Sequence, residues 1–132
     1  MRFFIDNCLS HCHAQALHAL SQKDGHQVVH LSEKFRRNAP DEEWIPQLAS
    51  EGDWILVSGD VQIYKNRTRR AVWKSAGLTR FFLKGNWQNQ TLWVQAHWLV
   101  RWWPKIIEVA GAVKKGSAFA VPSKPPGKLE PL

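Results

Sequence analysis

A chain of 132 residues has the size of one domain, long enough to bury a real core. Its 44% hydrophobic content falls in short blocks, none approaching the ~18 apolar residues of a membrane span, and MRFFIDNCLS has no secretory pattern, so a cytoplasmic protein is expected. The 18 Lys+Arg against 11 Asp+Glu give a formal charge of +7, which favours polyanionic partners and nucleic acid first among them; a basic surface that only keeps the protein soluble or docks an acidic protein fits the composition equally well.

Residues 2–5, RFFI, form a short apolar run closed by Asp6-Asn7 and are predicted as a buried strand. From Ser10 to about Gln22, Ala14 with Leu17 and Ala16 with Leu20 recur at helical spacing, predicting an amphipathic helix capped by Ser10 and stopped before Gly25. QVVHL at 27–31 reads as a second strand and SEKFRRNAP as a polar loop. Asp41 is then a good N-cap, with acids in the first turn, for a helix of about ten residues ending at Gly52 and tolerating Pro46 near its start.

DWILVSGD at 53–60 is a continuous apolar strand, 66–76 a basic helix ending at Gly77, and TRFFLKG at 79–85 a further strand. A long Trp-rich helix is predicted over 89–110, kinked at Pro104, with Leu92, Ala96, Leu99 and Trp103 as its apolar stripe. GSAFAVP adds a last edge strand, which closes a single domain over 1–121, and the Pro-rich tail 122–132 is expected to be extended or mobile. Cys8 and Cys12 interleave with His11 and His13, but those two histidines lie about 200° apart on a helix and cannot both join the cysteines at one metal, so reduced thiols near a helix start are expected.

Helices alternate with strands that are apolar throughout, the pattern of a mostly parallel central sheet covered on both faces, a three-layer α/β/α sandwich. With the first strand central, flanked by the second and third, Asp6 and Asp60 end neighbouring strands where ligands collect in such sheets. The helix opening at Asp41 starts near the same edge. If Ile45, Leu48 and Ala49 face inward, Asp41 and Glu42 do too, while Glu43 points away.

Each acid alone has an ordinary reading, Asp41 as a helix cap and Asp6-Asn7 or Gly59-Asp60 as turns. As a set they point to a site, because grouped carboxylates raise one another's pKa unless a cation joins them. Hard oxygen donors suit Mg²⁺ or Mn²⁺, which can activate water against a phosphodiester. Asp6, Asp41, Glu42 and Asp60 are therefore the candidate metal-binding and catalytic residues, with the choice between Asp41 and Glu42 open.

The stretches RFFIDNCLS, GHQVVHL, APDEEWIPQLASEGDWILVSGD and LTRFFL, in this order and spacing, resemble PIN-like nuclease domains of the VapC-type toxin branch, over residues 1–85. The resemblance implies an α/β/α fold and metal-dependent endoribonuclease activity neutralised by a cognate antitoxin, with the family's metal-site acids falling on Asp6, on Asp41 or Glu42, and on Asp60. The chain departs from the pattern at Gln62, where related domains often carry another acid; Asn66 is a candidate neutral oxygen ligand. Of the second rank are Glu43, Asn7, which could orient a water or phosphate, and Ser58, which could hydrogen-bond Asp60 or a metal-bound water. A PIN-like module that binds nucleic acid or protein without catalysis is the alternative.

Lys34, Arg36 and Arg37 precede the acidic helix, and Lys65, Arg67, Arg69 and Arg70 follow Asp60, so both clusters are candidates for holding the RNA backbone. A solvated helix face explains 65–70 about as well. Eight tryptophans are more than a small core needs. Trp98, Arg101 and Trp102, away from the predicted stripe, are expected to form an interface for an antitoxin or a second copy of the chain, with stacking of RNA bases as the competing use.

Overall fold

A computed structural model of the chain describes residues 1–123 and 127–132, and the Asp60 side chain lies outside the described part. In chain order the elements are β1 (Arg2–Ile5), α1 (His11–Ser21), β2 (Gln27–His30), α2 (Leu31–Lys34), α3 (Asp41–Glu51), β3 (Trp54–Asp60), α4 (Val61–Lys65), α5 (Arg67–Ala76), β4 (Thr79–Lys84), α6 (Leu92–Ala112), β5 (Ala118–Pro122) and β6 (Glu130–Pro131). The sheet order is β2-β1-β3-β4-β5-β6. Every neighbouring pair up to β5 is parallel, and β6 pairs antiparallel with β5.

Because side chains alternate across a strand, β1 sends Phe3 and Ile5 to one face and Phe4 to the other. The first face joins Val28, Ile55, Val57, Phe81, Leu83, Phe119 and Val121 beneath α1 and α6. On the opposite face Phe4, Leu56 and Phe82 lie under Leu31 of α2, Trp44, Ile45 and Leu48 of α3, Tyr64 of α4 and Trp73 of α5. This is the three-layer α/β/α architecture, its strands apolar because both faces are covered. Among the described residues no helix is long and apolar enough to cross a membrane.

Helix ends follow local chemistry. Ser10 caps α1 by accepting from the Cys12 amide at 3.1 Å, and His13 Nδ1 accepts from the Ser10 amide at 3.2 Å, so an imidazole completes the reciprocal cap. His13 Nε2 lies 2.9 Å from the Leu92 carbonyl and ties α1 to the start of α6. In α3 the capping position belongs to Pro40, whose carbonyl accepts from the Glu43 amide at 2.9 Å, and Asp41 is the first helical residue rather than the cap. Two short helices occupy segments without a predicted helix: α2 begins the expected loop, where His30 Nδ1 accepts from the Ser32 amide at 3.1 Å, and α4 follows β3 directly.

The C-terminal third departs furthest from expectation. α6 starts at Leu92, where Thr91 Oγ1 accepts from the Val94 amide at 3.2 Å, and runs without interruption through Pro104. Its buried residues are Gln95, Leu99, Trp102, Trp103 and Ile106, while Leu92 is exposed. β5 is an interior strand because the chain returns along it, pairing Phe119 with Pro131 and Ala120 with Glu130. Lys84 Nζ clamps that return through Glu130 at 2.8 Å. Residues 124–126 of the tail lie outside the described residues.

Candidate active site

The register Ile5↔Val57 between β1 and β3 brings the next residues, Asp6 and Ser58, side by side at the carboxyl edge of the sheet. The Asp6 amide extends the ladder by one bond to the Val57 carbonyl at 3.3 Å. Ser58 Oγ donates to Asp6 Oδ2, the Gly59 amide donates to the same oxygen at 3.3 Å, and the Cys8 amide donates to Oδ1 at 3.0 Å. The last is an Asx turn, in which a strand-ending aspartate folds the chain back over its own carboxylate. Among the described residues Ser58 donates to Asp6, its neighbour across the strand seam; the expected bond to Asp60 falls on a side chain outside the described part. The β3–β4 register shifts between Ser58 and Asp60, an irregularity of the kind that re-aims backbone beside functional sites.

A cavity of about 430 Å³ opens at this edge, with Asp6, Asn7, Cys8, Ser58, Asp41, Arg69 and Gln88 among its polar lining and Leu31, Trp44, Ile63, Trp73 and Phe82 among its apolar walls. Asp41 reaches it because Asp41, Trp44, Ile45 and Leu48 fall on one helical stripe, of which the last three are buried against the sheet. Glu42 is not on that stripe. It is exposed and outside the main cavity's lining, contrary to the inward placement expected, because Trp44 turns the buried face away from it. Glu43 is exposed and pairs with Arg36 at 3.2 Å.

Arg69 Nη1 lies 2.8 Å from Asp41 Oδ2. Burial pushes the Asp41 carboxyl above its ordinary pKa, the negative charge of Asp6 pushes the same way, the Arg69 guanidinium offsets part of this, and Glu42 adds to the rise. Asp41 and Asp6 are therefore close enough to repel. Burial, and then the Asp6 charge, push the Cys8 thiol well above its usual range, so it stays protonated and poorly nucleophilic at neutral pH.

The remaining candidates are dispersed. Asn7 donates to the Arg37 carbonyl at 2.5 Å, which fixes the loop before α3 at the cavity mouth. Asn66 Oδ1 accepts from the Arg69 amide at 3.2 Å and so caps α5. Lys34 pairs with Glu51 at 3.0 Å, at the far end of α3 from Asp41. Lys65, Arg67 and Arg70 are exposed around the start of α5. Trp102 is 3% exposed, and Trp98 is half-buried with its ring 5.2 Å from Trp87, so only Arg101 of the expected interface trio faces solvent. Trp102 is covered within a cluster on which the returning tail packs Leu129, and Gly127 of that tail sits where an added Cβ would meet the Trp102 ring.

The family model described as PIN like domain matches residues 1–85. The chain belongs to the PIN-like domain family. That match spans β1 to β4, and with it Asp6, Asp41, Ser58, Asp60 and Arg69; α6, β5 and β6 lie beyond it. Membership makes the chain a nuclease-type module, and PIN domains typically use divalent metals. No curated protein and no solved structure matches the chain.

Among the described residues of this PIN-like domain, no three His, Cys, Asp or Glu side chains are grouped closely enough to hold a metal ion. The donor set at the cavity is nonetheless of the right chemistry. Asp6 and Asp41 are hard oxygen donors on one cavity, and their mutual repulsion is what a cation between them relieves. The residues that sequence reasoning did not rank are the Cys8 and Gly59 amides that hold Asp6, and Gln88 at the rim. The Asp-x-Cys spacing carried a signal for the first.

Proposed function

We propose that this PIN-like domain is a Mg²⁺- or Mn²⁺-dependent endoribonuclease acting in the cytoplasm as the toxin of a type II, VapBC-like toxin–antitoxin pair. The observation that carries the reading is the meeting of Asp6 and Asp41 on one cavity at the carboxyl edge of a parallel sheet, with basic side chains beside it. Asp6 and Asp41 would hold the ion, with Asp60 at the adjoining strand end as the third acid. When bound, such an ion activates water and neutralises charge building on the phosphate.

The chain's own residues supply the positioning. Ser58, Gly59 and Cys8 fix the Asp6 carboxylate through three donors, leaving its remaining lone-pair directions for the cavity. Arg69 stands at the cavity, and Lys65, Arg67 and Arg70 extend the positive charge along the entry to α5, a track suited to a single-stranded RNA backbone. The toxin role and its antitoxin partner rest on the VapC-type resemblance of residues 1–85.

A second reading has its own support. Asp41 is already paired with Arg69, and Asp6 with its three donors, as in a module that binds nucleic acid or protein without cleaving it. Incubation of RNA with the purified protein, with and without Mn²⁺, separates the two. Metal-dependent cleavage lost in Asp6→Asn and Asp41→Asn is expected, together with growth arrest on induction that Asp6→Asn relieves. Cleavage unaltered by EDTA, or no cleavage while RNA still binds, defeats the enzyme reading.

A further inference from the structure

We infer that Arg69 and the divalent cation are alternative partners of Asp41, and that the cation, by displacing Arg69, frees it to grip an RNA phosphate. This rests on the metal-dependent reading above. Arg69 is the third residue of α5, and its amide is held by the Asn66 cap at 3.2 Å, so the root of the side chain is fixed. The side chain is 48% exposed, lines the cavity, and touches Asp41 Oδ2 at 2.8 Å. A guanidinium on a solvated stem can leave one carboxylate for another anion with little disturbance to the fold.

The alternation follows from charge. Among the described residues that line the cavity, Arg69 is the cationic side chain and Asp6 and Asp41 are the anionic ones. Asp6 and Asp41 would hold the ion, and Arg69 already occupies Asp41 Oδ2, so the guanidinium and the ion would compete for the same carboxylate. The forked guanidinium then finds its best remaining partner in a phosphate, which it can bind through two parallel hydrogen bonds. Metal and RNA therefore assist each other's binding, and by linkage the assistance is reciprocal.

The test measures Mn²⁺ affinity by calorimetry on the full chain. It also measures binding of a cleavage-resistant phosphorothioate RNA with and without Mn²⁺, for the wild type, Arg69→Gln, Arg69→Lys and Asp6→Asn, each checked for an intact melting transition. Arg69→Gln is expected to bind Mn²⁺ about two- to fivefold more tightly, the scale of an exposed ion pair, and to lose the gain in RNA affinity that Mn²⁺ gives the wild type. Arg69→Lys keeps the competition for Asp41 and recovers only part of that gain. Equal Mn²⁺ affinity in wild type and Arg69→Gln, lost in Asp6→Asn, overturns the inference and leaves the metal site standing. RNA binding of the wild type that is indifferent to bound Mn²⁺ overturns it as well. Absence of Mn²⁺ binding from every variant removes both readings.

Discussion

Ser58 donates its hydroxyl proton to Asp6 across the seam between β1 and β3, so these two neighbouring parallel strands also share a part-buried, charge-assisted hydrogen bond. Ser58 is 3% exposed, and removing its hydroxyl leaves the Gly59 and Cys8 amides as the carboxylate's donors among the described residues. A hydrogen bond to a charged group contributes about 1.5–3 kcal/mol. Ser58→Ala is expected to lose about that much stability in urea denaturation and to weaken Mn²⁺ binding about tenfold as Asp6 loses its orientation. An unchanged denaturation midpoint contradicts the role given to this bond.

Asp41 is held at some cost to the fold. Its folded-state pKa lies above the unfolded value of about 3.9, chiefly through burial and then through Asp6. Between the two values the native state binds more protons than the unfolded chain, so this group's contribution falls as pH rises through the window and stays low above it. Asp41→Asn is therefore expected to melt higher than the wild type at pH 7 and to lose that advantage toward about pH 3.5, while losing metal-dependent cleavage. Thermal melts of both proteins across this range check the sign; a variant less stable at pH 7 refutes it.

The two basic clusters are predicted to differ. Lys34 is committed to Glu51 at 3.0 Å, with its ammonium 5.7 Å from the Trp54 ring, away from the cavity. Arg67 is exposed two residues before Arg69. Removing one cation from the backbone of a single-stranded nucleic acid reduces the slope of log affinity against log salt by about 0.7. Arg67→Gln is expected to show that reduction in RNA-binding titrations, and Lys34→Gln to leave the slope unchanged.

What is legible in the sequence is what depends on near neighbours. Apolar runs such as RFFI and WILV identify strands covered on both faces, and an aspartate directly after the first run lands at the carboxyl edge of the sheet wherever that strand sits. The stripe that carries Asp41 is centred one position away from the Ile45, Leu48 and Ala49 face, because Trp44 belongs to the buried side; including it places Asp41 inward and Glu42 outward. Interactions made across the chain leave no local mark. The Asp41–Arg69 pair needs α3 packed on α5, the Ser58–Asp6 bond needs the strand register, and the packing of Leu129 on the cluster that holds Trp102 needs the tail to return along β5.

Arg80 is a charge that no pattern in TRFFLK announces as buried. It is 4% exposed, and Nη2 reaches the Gly116 carbonyl at 2.8 Å, but Nε and Nη1 have no hydrogen-bond partner among the described residues. Burial holds its pKa below the usual guanidinium value. Unsatisfied buried polar groups cost about 1–3 kcal/mol, and an apolar residue of similar size often replaces a buried charge at a gain. Arg80→Met is expected to raise the unfolding free energy by about that amount in urea denaturation; a clear loss shows that the Gly116 bond outweighs the orphaned donors.

The tryptophans of α6 offer a direct test of how the C-terminal third closes. Trp102 is 3% exposed in the cluster on which Leu129 packs, with Gly127 over its ring, whereas Trp93, on the same helix, is 80% exposed. Truncating a buried Trp costs about 3–5 kcal/mol through lost burial and the cavity left behind, while surface substitutions usually stay within about 0.5 kcal/mol. Trp102→Ala is expected to destabilise on the first scale and Trp93→Ala on the second. Deleting residues 127–132 removes β6 and the cover over Trp102, so tryptophan emission should shift to longer wavelength and the melting temperature should fall. If Trp102→Ala and Trp93→Ala prove equally mild, the returning tail is not what buries this face; if the deletion alone is mild, Leu99, Trp103 and Ile106 hold α6 without it.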